Sequence, residues 1–486
     1  MIYFKSMKKT AKTIFSIVIS LIILVSVLPF KAYAEEADLD AVIEERKNIP
    51  VESNMITGWP VGPKTGAQSA ILIDANTGIV LYSKNIHEKL YPASITKILT
   101  ALIAYENCDM NDMVTFSYNA VSSIDWRYDA NMGINAGDSI PMEQALYGML
   151  VGSANEAAYA IAEHVSGNIE DFAVLMNTKA RELGCTDSHF VTPNGIHDED
   201  HYTSAHDMAL IAKAFFANDF LANISRTPSY QVPQTSTQPN DNMIVYAKSK
   251  LFPGKEYALE GLVGTKTGYT DSARQTLVTC AENDSLRLIC VVMKEEAPGQ
   301  YTDTIDLFNY GFSNFNCYMV ADKDSRYTIS TSNLFDTQKD IFGSSKPILD
   351  INSQDYIILP VGVEPEQTES EISYDDLKDN EIARINYYYS GTFVGSASVM
   401  PIARLKNTHG FEDSSLDDTE NKQDEDDGYI FVDITWILVR VLGISALLTL
   451  FFILVSLFKG RHKRKKTNTN KKFNYKNKNL KWKHFK

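Results

Sequence analysis

The alternation of apolar and polar residues divides the chain into stretches of different texture. "SAILIDANTGIVLYSKN" reads as two strands, Ala70–Ile73 and Ile79–Tyr82, joined by a tight turn with Gly78 at the position that needs positive φ. "YPASITKILTALIAYE", residues 91–106, is apolar on every face and predicts one buried helix with Lys97 inside it. From Met142 to Phe216 apolar residues recur at helical spacing in "MEQALYGMLVG", "NEAAYAIAEHVSG", "IEDFAVLMNTKARELG" and "SAHDMALIAKAFFA". "RQTLVTCAENDSLRLICVVMK", residues 274–294, predicts a β-hairpin turning at Glu282–Ser285, and "TDTIDLFNYGFSNF" a closing helix. Two strands, a helical block, then strands and a last helix predict an α/β arrangement of one sheet with helices packed against it, over residues 69–316.

The texture changes on either side of this block. Residues 35–68 read as a loose lead-in. "RYTIST", "DYIILPVG", "IARINYYYSG" and "ASVMPIARL" are short, alternating and rich in β-branched and aromatic residues, which predicts a small all-β domain over 317–405. Residues 406–428 are acidic and poor in apolar side chains, a solvated spacer.

Both ends carry targeting signals. Lys5, Lys8, Lys9 and Lys12 precede an apolar run from Ile14 to Phe30, and Ala32-Tyr33-Ala34 supplies a small-x-small cleavage signature. Residues 1–34 are therefore expected to be a secretory signal peptide, with the mature chain starting near Glu35. The predominantly apolar run Ile434–Phe458, 25 residues with Arg440 near its outer end, exceeds a hydrocarbon core ~30 Å thick at ~1.5 Å per residue, so a membrane helix is expected within 429–458. Residues 459–486 hold thirteen Lys/Arg and no acid, which predicts a cytoplasmic tail and places the body of the chain outside. A basic block directly against a span reads as topology and anionic-lipid contact rather than as a nucleic-acid arm.

Composition sharpens this picture. The chain has 486 residues, 44% of them hydrophobic, enough for a large core. With +5 on residues 1–34 and +13 on the tail, a net charge of −15 leaves −33 on the exported body. Such a body repels nucleic acid and needs a local cation to hold any anionic substrate. Five cysteines, an odd number without a CxxC, give no disulfide framework; a single bridge stays open, with no pair marked by the sequence.

The chemistry starts from Lys97. An ammonium inside an apolar helix is costly unless it finds partners or loses its proton, and the neutral amine is a general base. Ser94 lies three residues earlier on the same face, at a helix start whose N–H groups can stabilise an oxyanion. Ser-x-x-Lys thus unites a nucleophile with its base. It also occurs at Ser6–Lys9 and Ser456–Lys459, so alone it is weak, and an N-capping serine with a snorkelling lysine is the ordinary alternative. Two further elements raise its weight. Ser153-Ala154-Asn155 sits in a tight segment between two apolar helices, where a hydroxyl and an amide can relay a proton and hold a carbonyl. Lys266-Thr267-Gly268 precedes the hairpin, supplying a cation and a hydroxyl for a carboxylate, with Gly268 letting a substrate backbone lie along the strand. A second Lys-Thr-Gly, Lys64–Gly66, follows Trp59, Pro60 and Pro63 in a loop and is read as a decoy.

The order Ser-x-x-Lys, Ser-x-Asn, Lys-Thr-Gly resembles the penicillin-recognising serine enzymes. "ILIDANTGIVLYSKN", "YPASITKILTAL", "MLVGSANEAAYAIAE" and "FVTPNGIHDEDHYTSAHDMALIAKA" resemble the D-alanyl-D-alanine carboxypeptidases among them, from about Ala70 to Phe315. The resemblance implies an antiparallel sheet with flanking helices and a helical subdomain. It implies acylation of Ser94 by peptidoglycan stem peptides ending in D-Ala-D-Ala, with Lys97 as base and Ser153, Asn155 and Lys266 completing the proton and substrate network. Thr267 and Gly268 join the substrate strand, and the N–H groups of Ser94 and Tyr269 form the oxyanion hole. β-Lactams are expected as covalent inhibitors, and neither metal nor cofactor is required.

Departures from the family pattern are Ala154 in place of glycine, Tyr269-Thr270-Asp271-Ser272 after Lys-Thr-Gly, and no arginine upstream of that strand, where only Lys248 and Lys250 stand. A β-lactamase shares the three motifs but adds a Glu-x-x-Leu-Asn loop, which is not found between Asn155 and Lys266. A zinc peptidase could use His197, His201 and His206, yet Asp198 replaces the expected Glu and the stretch follows a Pro193-Asn194-Gly195 turn. A non-catalytic wall-binding protein is expected to have lost a motif element, and none is lost.

Overall fold

The computed structural model describes residues 39–401 apart from 233, 238–242, 325, 327–348, 376 and 379. The expected signal peptide, "RYTIST" strand (save Arg326), acidic spacer, membrane span and basic tail lie outside the described residues. No helix among the described residues is long and apolar enough to cross a membrane.

The described residues begin with helix α1 (Leu39–Lys47) and a 3₁₀ turn at Glu52–Met55, so the lead-in from residue 39 onward is ordered rather than loose. The reason is Trp59, which reads as a loop residue among prolines and glycines but is buried. Its indole N–H donates to the Leu81 carbonyl at 2.9 Å and its ring packs 5.2 Å from Phe315.

The predicted strands form as β1 (Ser69–Asp74) and β2 (Val80–Lys84). A 3₁₀ turn at Ala93–Thr96 then leads into α2 (Lys97–Asn107). The short elements β3 (Met113–Thr115), α3 (Tyr118–Ser122) and β4 (Ser139–Pro141) follow. The helical block comes next: α4 (Met142–Val151), α5 (Asn155–Ser166), α6 (Ile169–Glu182), α7 (Ala205–Phe216) and α8 (Asp219–Ser225). A small ribbon of β5 (Ser229–Gln231) and β6 (Ile244–Tyr246) precedes three long strands, β7 (Leu262–Thr270), β8 (Arg274–Glu282) and β9 (Arg287–Glu295). Helix α9 (Gly299–Asn314) closes the unit.

The central sheet is antiparallel with order β2-β1-β9-β8-β7. Its strands are buried on both faces, and the period-2 alternation sorts their side chains into two cores. Ile71 and Ile73 of β1 and Ile289, Val291 and Met293 of β9 face a core shared with α2, α5 and α7. Ala70 and Leu72, with Leu288, Cys290 and Val292, face a second core shared with α9. The order leaves β7, which carries Lys266-Thr267-Gly268, at the sheet edge, with no strand on its outer side among the described residues.

The second core continues into the smaller sheet. Strands β10 (Phe315–Met319), β11 (Leu349–Ile351), β12 (Tyr356–Pro360), β13 (Glu369–Ser373), β14 (Ala383–Tyr389) and β15 (Thr392–Pro401) form an antiparallel sheet of order β10-β12-β15-β14-β13, with β11 on β15. Ile357, Leu359, Ile385 and Val394 pack into the same core as Leu72 and Phe308. The Tyr356 hydroxyl donates to Asp74 at 2.9 Å. All five cysteines are free thiols.

Candidate active site

The predicted single helix over 91–106 is two elements: Ser94 lies in the 3₁₀ turn, and the α-helix starts at Lys97. The break has a visible cause. Ala93 has φ +52°, a left-handed conformation that costs an L-residue on the order of 1–2 kcal/mol. The surroundings hold it there. Thr276 donates to the Pro92 carbonyl at 2.8 Å, and Thr96 to the Ala93 carbonyl at 2.8 Å. Gly195 passes so close that a β-carbon there would lie 1.9 Å from the Ala93 oxygen.

Behind Thr96 stands His201, 1% exposed. Its Nδ1 accepts the backbone N–H groups of Val191 and Thr192, which leaves the proton on Nε2, 2.9 Å from the Thr96 hydroxyl. Burial holds its pKa down to about 3, so the ring is neutral. Both nitrogens are thus engaged in bracing the nucleophile turn, while His197 packs edge-on against Tyr91.

Every residue of α2 from Lys97 to Ala104 is buried. Ile98, Leu99, Leu102 and Ile103 each contribute roughly 1.5–3 kcal/mol by burial. Together they outweigh the roughly 5 kcal/mol that a lysine in water needs to shed its proton at pH 7. Burial, reinforced by the charges of Lys266 and Lys248, holds the Lys97 amine well below the usual lysine range. Its Nζ lies 2.9 Å from Ser94 Oγ, 2.8 Å from Asn155 Oδ1 and 2.7 Å from the Asn194 carbonyl. The last two atoms can only accept. In its neutral form the amine has two N–H donors and one lone pair; the donors then go to Asn155 and Asn194, and the lone pair faces the serine hydroxyl.

Ser153 occupies the turn between α4 and α5, also at positive φ (+59°) and 4% exposed. Lys266 Nζ lies 3.1 Å from Ser153 Oγ and donates to the Thr267 carbonyl at 2.7 Å. Burial, with a smaller effect of Lys248, lowers the Lys266 pKa to about 7. Ser94, Ser153, Asn155, Thr267, Gly268 and Tyr269 line one cleft of about 420 Å³, with Lys248, Gln275, Tyr128 and Ala130 on its other walls.

Gly268 acts differently from expectation. A β-carbon there would lie 2.3 Å from the Thr276 hydroxyl oxygen and 2.9 Å from the Ser94 nitrogen, so its absence lets β7 close on the nucleophile turn. The substrate strand is not what a side chain would first strike. The second Lys-Thr-Gly serves the core behind the sheet: Lys84 donates to the Thr65 carbonyl at 2.6 Å and the Gly66 N–H to Asp303 at 2.8 Å.

Several contributors escaped the sequence. Asn194 and Gly195 read there only as a turn, and His201 as a loop contact. Glu156 is fully buried, its carboxyl pushed up to about 7 by desolvation, and accepts the N–H groups of Met132 and Gly133 behind the cleft wall. Lys248, an exposed residue, lines the cleft, and no ion pair or side-chain hydrogen bond holds it among the described residues. Arg274 and Lys250, by contrast, are paired with Glu296 at 2.6 Å and Glu256 at 2.8 Å.

A serine hydroxyl 2.9 Å from a desolvated amine, beside an edge strand and a cation, is the equipment of a serine acyl-transfer enzyme. Residues 58–297 match the family model of the D-alanyl-D-alanine carboxypeptidases. D-alanyl-D-alanine carboxypeptidase DacF of Bacillus subtilis (strain 168) is 32% identical over 262 residues, 52% of this chain and 64% of that protein. DacB2 of Mycobacterium tuberculosis is 31% identical over 281 residues, 56% of this chain and 88% of that protein. A solved D-alanyl-D-alanine carboxypeptidase from Mycobacterium tuberculosis H37Rv is 30% identical, with 53% of this chain and 95% of that chain covered and a TM-score of 0.48. The chain belongs to the D-alanyl-D-alanine carboxypeptidase family.

Proposed function

We propose that the protein is a serine-type hydrolase that removes the terminal D-alanine from peptidoglycan stem peptides through an acyl-enzyme on Ser94. Ser94 Oγ attacks the penultimate D-Ala carbonyl and its proton passes to Lys97 Nζ. The developing oxyanion is met by the N–H groups of Ser94 and Tyr269, on the nucleophile turn and the edge strand. The C–N bond breaks, and the leaving amine takes up a proton relayed by way of Ser153. Water then hydrolyses the ester and restores Ser94. Asn155 orients the amine and the substrate, while Thr267 and Lys248 meet the terminal carboxylate, Lys248 filling the place left by the missing arginine. β-Lactams present a strained amide to the same serine and acylate it. The enzyme works outside the cell, held by a C-terminal span with its basic tail in the cytoplasm.

The observation that carries this reading is the set of three contacts around Lys97 Nζ, which gives Ser94 its base. The test is D-alanine release from a peptide ending in D-Ala-D-Ala. Ser94→Ala is expected to lose at least ~10³ in rate with an unchanged circular dichroism spectrum. Undiminished release by that variant would overturn the assignment.

A further inference from the structure

Of the five free thiols, Cys185, Cys280 and Cys290 are buried, and Cys317 is half-buried in the small sheet. Cys108 stands apart. It caps the C-terminal end of α2, and its Sγ gathers with a carboxylate oxygen of Asp112 and a ring nitrogen of His164, all within 4.8 Å of one another. His164 comes from the last turn of α5. The catalytic reading uses none of the three.

We propose that Cys108, Asp112 and His164 form a zinc site that clamps the C-terminal ends of α2 and α5 together. The donor set is one sulfur, one imidazole nitrogen and one carboxylate oxygen. That mixture suits zinc and fits poorly with magnesium or calcium, which take oxygen ligands. His164 Nε2 and Asp112 Oδ2 are 3.7 Å apart, too far for a hydrogen bond. Two ligands of a tetrahedral ion at ~2.0–2.1 Å would sit roughly 3.4 Å apart, so an ion between them needs only a small adjustment.

The field at the site favours a cation. Both helices direct their C-terminal ends, with their partial negative charge, at this corner. A thiolate and a carboxylate would neutralise the ion. Binding forms the Zn–S bond and breaks the S–H bond of the thiol, whose proton goes to solvent, one per ion. Water completes the fourth position.

The opposite ends of the same two helices carry Lys97 and Asn155, whose side chains meet at 2.8 Å. At ~1.5 Å rise per residue the clamp lies roughly 15 Å from them. It would fix α2 against α5 and so steady the pair around the amine. The site itself does not depend on the catalytic reading, and its test uses no activity.

The experiment is titration of the metal-free full-length protein with Co(II) and then Zn(II). One equivalent of Co(II) is expected to give a near-ultraviolet thiolate-to-cobalt band that stoichiometric zinc removes. Zinc at a hundredfold excess over Kd is expected to raise Tm by on the order of 5 °C. Cys108→Ser and His164→Gln should each abolish both effects. If Cys108→Ser fails to fold, His164→Gln decides, because it keeps the thiol and must still lose the tight band. Absence of the band in the parent overturns the site. So does a band or Tm shift that persists in the variants, which would mark adventitious binding elsewhere, such as at His462 or His484 of the tail.

Discussion

At the scale of single residues, the proposed catalysis rests on one amine 2.9 Å from Ser94 Oγ, whose lone pair faces that oxygen when the amine is neutral and its N–H groups go to Asn155 and Asn194. Lys97→Met should fold, since it replaces a costly polar group by an isosteric apolar one, yet acylation by penicillin should fall by at least ~10³. Stopped-flow labelling with a fluorescent penicillin checks this. Lys248 is one of the positive charges that hold Lys97 down. Removing it in Lys248→Met makes Lys97 easier to protonate. The acid limb of the acylation rate should therefore move to higher pH, and an unmoved limb would separate the two groups. At this scale much of the site was legible, because Ser94, Lys97, Ser153, Asn155 and Lys266 are fixed by short spacings. Asn194 was not, because it contributes a backbone carbonyl from a turn 97 residues away, a role that no side-chain pattern records.

At the scale of elements, the turn that presents Ser94 carries the strained Ala93, and distant elements hold it. Gly195 has φ +79° and no room for a β-carbon beside the Ala93 oxygen. Gly195→Ala should cost more than ~2 kcal/mol, read as a lowered Tm, with acylation lost in step. His201 braces the same turn as a neutral ring. Its depressed pKa, about 3 against an ordinary 6.5, adds stability that is complete above pH 6.5 and drains away as pH falls toward 3, because only the unfolded chain takes the proton. Glu156, raised to about 7, works in the opposite sense between pH 4.5 and 7, but it is common to parent and variant. The Tm advantage of the parent over His201→Gln should thus shrink as pH is lowered from 7 to 4, and a constant difference would contradict the bracing role. Helix periodicity revealed α2 but not the 3₁₀ turn before it. That break comes from packing against Gly195, Thr276 and β7, all remote in sequence.

At the scale of the whole molecule, the sheet lies between two cores and delivers β7, its edge strand among the described residues, beside the nucleophile. The strands of the central sheet were legible because alternation and turn residues mark them. The ordered lead-in was not, because Trp59 stands in a stretch with no period and finds its partners, Leu81 and Phe315, far along the chain. The sheet from β10 to β15 was legible as β structure, whereas its sharing of a core with the catalytic sheet depends on tertiary contacts such as Tyr356 with Asp74. The most direct test of the whole account is to incubate the protein with benzylpenicillin, digest it, and locate the covalent adduct by mass spectrometry. One penicilloyl group per chain on the peptide containing Ser94, absent from Ser94→Ala, is the predicted result; an adduct on any other residue, or none, would contradict it.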